Sequence, residues 1–148
     1  MILLSMLIWI TYSVFEGWRE AHYWFHRTNS PYFDKVKNID QHNLFVAQRA
    51  IPVFLLAYAS FTLTGSIVLS IVTTVANALL FSFFHNGMMY TIRHWISREI
   101  TPNHIIYPNK WFEQSTSSQA KLTFLMGPTS RTIQAILGLV LYIITSIL

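Results

Sequence analysis

All sixteen formally charged side chains of this 148-residue chain fall in two stretches, 16–49 and 93–131. Residues 1–15, 50–92 and 132–148 contain no Asp, Glu, Lys or Arg and are dominated by Leu, Ile, Val and Phe. A helical crossing of a bilayer needs about 20 mostly apolar residues, and a charge at its centre costs about 2.5–3.5 kcal/mol on insertion scales. The charge-free stretches are therefore read as membrane and the charged ones as its aqueous edge. The expected fold is all-α: a polytopic membrane helical bundle with four transmembrane helices in a single domain, helices one and three extending into the cytoplasmic interface.

Composition agrees. The chain is 53% hydrophobic and 11% charged, against about 25% charged in an ordinary soluble domain. It has no cysteine, which excludes disulfides, thiolate metal sites and cysteine nucleophiles. Met1–Phe15 lacks the basic flank and the small-x-small cleavage site of a secretory signal, so a retained helix is expected there. The net charge of +4 reads as a positive-inside signal in membrane-flanking segments, and no nucleic-acid partner is expected.

The first helix is expected over about 1–27, because fifteen uncharged residues span only about 22 Å and must run on past Glu16, with Trp18, Trp24 and Phe25 at the interface. The second covers about 40–63, with Pro52 inside it and Asn38 and Gln41 resembling a capping box. After the turn Thr64-Gly65-Ser66, the third covers about 66–98. A loop over about 99–127 holds Trp111 and Phe112 as interface anchors and a candidate surface helix at Ser117–Met126. The fourth covers about 129–148, capped by Thr129 or Ser130. This path puts all ten Lys and Arg at one end, the cytoplasmic one by the positive-inside rule, and both termini on the other side.

The polar residues at the charged end form a constellation. At 100° per residue, Glu16, Arg19, Glu20, His22, Tyr23, His26 and Arg27 fill one arc of about 160°. His42 and Arg49 lie at i,i+7 on the second helix. Arg49, inside an apolar run, is expected to pair with Glu16 or Glu20. On the third helix Asn86, Tyr90, Arg93, His94 and Ser97 share a face, and His85 falls among Met89, Ile92 and Ile96. Gly87 is a candidate break. Ser66, Ser70, Thr73 and Asn77 form a stripe of the kind that joins membrane helices. As a transport path it lacks an acidic proton carrier.

Three chemistries fit this constellation. His22 and His26 have metal-ligand spacing, and His42, His85 and Glu16 or Glu20 would complete a set for a divalent metal; the further His boxes of membrane di-iron hydroxylases are absent. Arg19, Arg49 and Arg93 are candidates for an anion or lipid headgroup, with Glu16, Glu20 and His85 as candidate catalytic groups, although no phosphatase, transferase or P-loop signature is present. The third reading is structural, with Arg–Glu pairs and histidines as polar anchors. The leading function is a non-catalytic component of a membrane assembly or a lipid-organising subunit, with a polar cytoplasmic contact face and with lipids and other membrane subunits as partners. The alternative is a small membrane enzyme acting on a lipid-like or polyprenyl-phosphate substrate. A holin-like pore former ranks third, since no charged C-terminal tail is seen.

Overall fold

The structure, a computed structural model, describes residues 2–28, 41–100 and 127–147, with side chains placed at 2–23, 25, 48–96 and 127–147. The described residues form four helices and no strand: α1 Ile2–Thr28, α2 Gln41–Thr64, α3 Ile67–Ile100 and α4 Pro128–Ile147. The expectations for the Asn38/Gln41 box, the Trp24, His26 and His42 side chains, Trp111, Phe112 and the Ser117–Met126 helix lie outside the described residues.

Local sequence explains the boundaries. α2 ends where Gly65 adopts φ 66° and its N–H reaches the Phe61 carbonyl at 2.8 Å. This left-handed cap suits glycine, which has no Cβ to strain. Ser66 opens α3, its Oγ accepting from the Leu69 N–H at 3.3 Å. α3 then runs unbroken through Gly87 for 34 residues. α4 starts one residue before the expected Thr129 cap. Pro128 takes its first position, where the missing N–H is no loss and the fixed φ is already helical.

α3 is the axis of the bundle and packs against the other three helices. α1 lies parallel to it: Trp9 meets Asn77, and further along Gly17 meets His85. α4 lies antiparallel, with Tyr142 at Asn77, Gly138 between Ala76 and Leu80, and Arg131 at Tyr90. Ile2, Leu3, Leu63, Thr64 and Ser146 line one recess, so the start of α1 and the ends of α2 and α4 lie at one end of the bundle. Trp9, Ala76, Leu80, Ala135 and Tyr142 form one buried cluster. A second, of Ala21, Met89, Tyr90, Ile92 and Ile96, joins α1 to α3 nearer the other end.

The outer surface is apolar. Leu7 on α1, Phe54 and Leu55 on α2, Val68 and Ile71 on α3 and Ile136 and Ile143 on α4 are all more than half exposed. Among the described residues, two helical segments, Ile67–Ile96 and Pro128–Ile147, qualify by length and apolarity to cross a membrane, and most of each apolar window is unburied. The expected four crossings exceed these two.

Gly17 sets the distance between α1 and α3. A Cβ there would sit 2.2 Å from the His85 carbonyl oxygen, and that backbone atom cannot rotate away. Small residues at such crossings let helices approach closely. Gly17→Ala is expected to cost about 1–3 kcal/mol by overpacking in reversible unfolding in micelles. Gly127→Ala, with nothing within 4 Å, serves as the near-neutral control.

Candidate functional site

Three helices meet in a layer of charge between the two apolar clusters. Glu16 follows one turn after the buried Ser13 and immediately precedes Gly17, so the close approach of α3 carries it inward to 4% exposure. Arg19 closes on it, with Nη2 2.7 Å from Oε1 and Nε 3.0 Å from Oε2. Arg19 Nη2 also donates to Gln48 Oε1 of α2 at 3.1 Å. Arg49 of α2 lies between the two carboxylates, with Nη2 2.5 Å from Glu20 Oε2 and Nε 3.6 Å from Glu16 Oε1. Its pairing with helix one is therefore as expected. Its guanidinium also rests over the Phe81 ring, 5.1 Å from the centroid, a favourable cation–π position.

His85 completes the layer from α3. It is 3% exposed and stacks on Phe81 at 4.7 Å. Its Nε2 lies 2.9 Å from Glu20 Oε2 and 3.1 Å from Arg49 Nη2, and its Nδ1 lies 3.0 Å from Asn86 Oδ1. Both imidazole nitrogens thus face protein groups. Asn86 in turn donates from Nδ2 to Ser82 Oγ at 3.3 Å.

Depth follows from helix geometry. His85 is eighteen residues past the start of α3, about 27 Å along it at 1.5 Å per residue. Arg49 is fifteen residues before the end of α2, about 22 Å from the turn. Both distances fall just short of the roughly 30 Å of a hydrocarbon core.

A second polar junction lies nearer the other end. Asn77 is 1% exposed. Trp9 Nε1 donates to its carbonyl at 2.6 Å, and Tyr142 donates its hydroxyl to Asn77 Oδ1. Ser70 Oγ donates to the Ala57 carbonyl at 2.6 Å, and Thr73 Oγ1 bonds Ser60 Oγ at 3.1 Å. The polar stripe of α3 therefore joins it to each neighbouring helix, with Asn77 serving α1 and α4 and Ser70 and Thr73 serving α2.

The expected constellation divides. Glu16, Arg19, Glu20, Arg49 and His85 come together. His22 is exposed on the far side of α1, its ring 6.2 Å from that of Trp18. Arg93 is exposed two turns beyond His85. The polar arc of α1 does not face one way, because the packing face, centred on Ser13, Gly17 and Ala21, takes only the glutamate edge of that arc inward. Among the described residues, no group of three or more His, Asp or Glu gathers to hold a metal ion.

Arg131 departs from the expectation that the charged stretches lie at the aqueous edge. It is 1% exposed, its guanidinium 5.7 Å from the centre of the Tyr90 ring. The signal was present: Arg131, Ala135, Gly138, Tyr142 and Thr145 recur at alternating spacings of four and three residues and form the buried face of α4.

The chain matches no protein-family model, no curated protein and no solved structure.

The ion layer carries a quantitative expectation. Removing one partner of a buried pair strands the other charge and costs about 3–5 kcal/mol. Arg49→Leu is expected to destabilise by about 3 kcal/mol in reversible unfolding in micelles, near the lower end of that range because its side chain is 20% exposed. Adding Glu20→Gln to Arg49→Leu should recover part of that loss, whereas independent effects would simply add.

Proposed function

We propose that the chain is a four-crossing integral membrane protein and a non-catalytic component of a membrane assembly. Its charged end faces the cytoplasm, and both termini face away from it. The observation that carries the topology is the apolar belt. All four helices, not only the two that qualify on composition, expose large aliphatic and aromatic side chains between the ion layer and the recessed end. Contiguous apolar surface on this scale exceeds what a soluble monomer presents to water. α1 and α2 carry their charges at one end of each helix, where Glu16, Arg19, Glu20 and Arg49 neutralise one another.

The non-catalytic reading rests on how the polar groups are spent. A general acid or base must present an atom to substrate. Glu16 and Glu20 accept from Arg19 and Arg49, His85 Nε2 lies between Glu20 and Arg49, and its Nδ1 meets Asn86. An anion site built on Arg19 and Arg49 would first have to displace these carboxylates. The layer is a clasp between helices. Trp18, Arg19, His22, Arg93 and Trp95 are exposed around the same end and supply an aromatic and basic rim suited to headgroups and to neighbouring subunits.

Since the chain has no cysteine, single cysteines can report sidedness. Cysteines at Ser66 and at Ser30 are expected to react with an impermeant maleimide from opposite sides of sealed vesicles, Ser30 from the cytoplasmic side. Labelling of both from one side would overturn the four-crossing arrangement. The assembly is tested separately, by native mass spectrometry of the protein extracted in mild detergent. A defined complex is expected; a lone chain with bound lipid would leave the topology standing and remove the assembly.

A further inference from the structure

One imidazole nitrogen in the ion layer faces two groups with opposite demands. His85 Nε2 lies 2.9 Å from Glu20 Oε2, which as a carboxylate only accepts, and 3.1 Å from Arg49 Nη2, which only donates. A single nitrogen satisfies one of these at a time. In neutral His85 with its proton on Nδ1, Nδ1–H donates to Asn86 Oδ1 and Nε2 accepts from Arg49. In protonated His85, Nδ1–H keeps Asn86, Nε2–H donates to Glu20, and a second cation stands beside the Arg49 guanidinium. The change of partner is a change of helix, because Arg49 belongs to α2 and Glu20 to α1.

Among the described residues, the groups that meet the ring are Glu20 from α1, Arg49 from α2, and Phe81 and Asn86 from α3 itself; Glu16 adjoins Arg49, and Arg19 pairs with Glu16. Gly17 holds the His85 backbone against α1, so the links that weaken are those to α2: Nε2–H takes the same Glu20 Oε2 that Arg49 Nη2 holds, and the exposed Arg19–Gln48 hydrogen bond remains the lesser tie. α2 has a weak point there. Pro52 lies inside the helix just past Arg49 and has no N–H for the Gln48 carbonyl, which weakens the ladder at that turn. Beyond Pro52, Ser70 and Thr73 fix the outer half of α2 to α3.

The geometry points to a proton-operated latch: protonation of His85 shifts its Nε2 from Arg49 to Glu20 and lets the inner end of α2 swing outward about Pro52. The latch goes beyond the proposed function and holds for either number of crossings.

The test is a distance measurement in lipid nanodiscs at pH 8 and pH 5, which bracket the range in which imidazoles change charge. Nitroxide labels go on cysteines at Phe15 of α1 and Ala47 of α2. A control pair at Leu3 and Tyr58 spans the outer half. The Phe15–Ala47 distance is expected to lengthen at pH 5, the control pair to stay fixed, and His85→Gln to abolish the change. A distance equal at both pH values, or a change that persists in His85→Gln, overturns the latch. Should His85→Gln fail to fold, ¹⁵N NMR of the His85 ring in the otherwise unaltered protein decides. The ring must gain its proton over the same pH interval as the distance change, and a mismatch also overturns the proposal.

Discussion

The bundle depends on bringing carboxylates and guanidinium groups together where packing withdraws most of them from solvent. An isolated ion in a medium of low dielectric is costly, and pairing recovers that cost only when the geometry is good and the remaining donors and acceptors are met. In α1 the repeated pattern Glu16-Gly17 and Glu20-Ala21 meets this requirement. Each acid is followed by a small residue at the same helical spacing. The small residues admit α3 to backbone distance, with the His85 carbonyl against Gly17 and Ala21 fully buried. Close approach then turns the neighbouring acids toward Arg49 and His85. Apolar packing and ion pairing are thus one event. The exposed Arg19, with nearly half its side chain accessible, contributes less, since surface pairs yield about 0–1 kcal/mol.

The four described helices were legible from charge distribution together with the Thr64-Gly65-Ser66 turn that divides the long uncharged stretch 50–92, because exclusion of charge acts on whole segments and does not need the fold. The pairing of Arg49 was legible for the same reason: a cation four residues into an apolar run has few ways to be satisfied. The stripe of Ser70, Thr73 and Asn77 was legible as helix-joining, but not which helix each residue serves. Facing directions were harder. A helical plot groups Glu16, Arg19, Glu20 and His22 by polarity, whereas packing divides them by proximity to Gly17 and Ala21. Glycine and alanine carry no hydrophobic signal strong enough to mark a packing face in a single helix. Arg131 was misplaced because a charge beside a loop reads as solvated. Only the spacing through Ala135, Gly138 and Tyr142 reveals that it heads the buried face of α4.

Asn77 and the ion layer divide the work of holding α3. Asn77 accepts from Trp9 through its backbone and from Tyr142 through its side chain, so one residue ties α1 and α4 in a region otherwise made of Leu80, Ala76 and Ala135. Such hydrogen bonds in membrane proteins average about 0.6 kcal/mol and reach about 1.7, because the separated helices also find partners. Their value lies in direction more than strength, since a hydrogen bond fixes rotation about the helix axis where dispersion does not. The ion layer does the same for α1, α2 and α3 at the opposite end.

That distribution explains why charges are tolerated here at all. Replacing a buried ion cluster with apolar residues of similar volume is often neutral or stabilising, so stability alone does not require Glu16, Glu20, Arg49 and His85. Register does. Slide α1 by one turn against α3 and either Ser13 or Ala21 replaces Gly17 at the His85 carbonyl, each with a Cβ where the observed spacing leaves no room. The same slip shifts both glutamates away from Arg49 and Trp9 away from the Asn77 carbonyl. In the membrane setting proposed for this chain, where lipid supplies no hydrophobic drive between helices, steric and polar terms of this kind select one alignment from several with similar apolar contact.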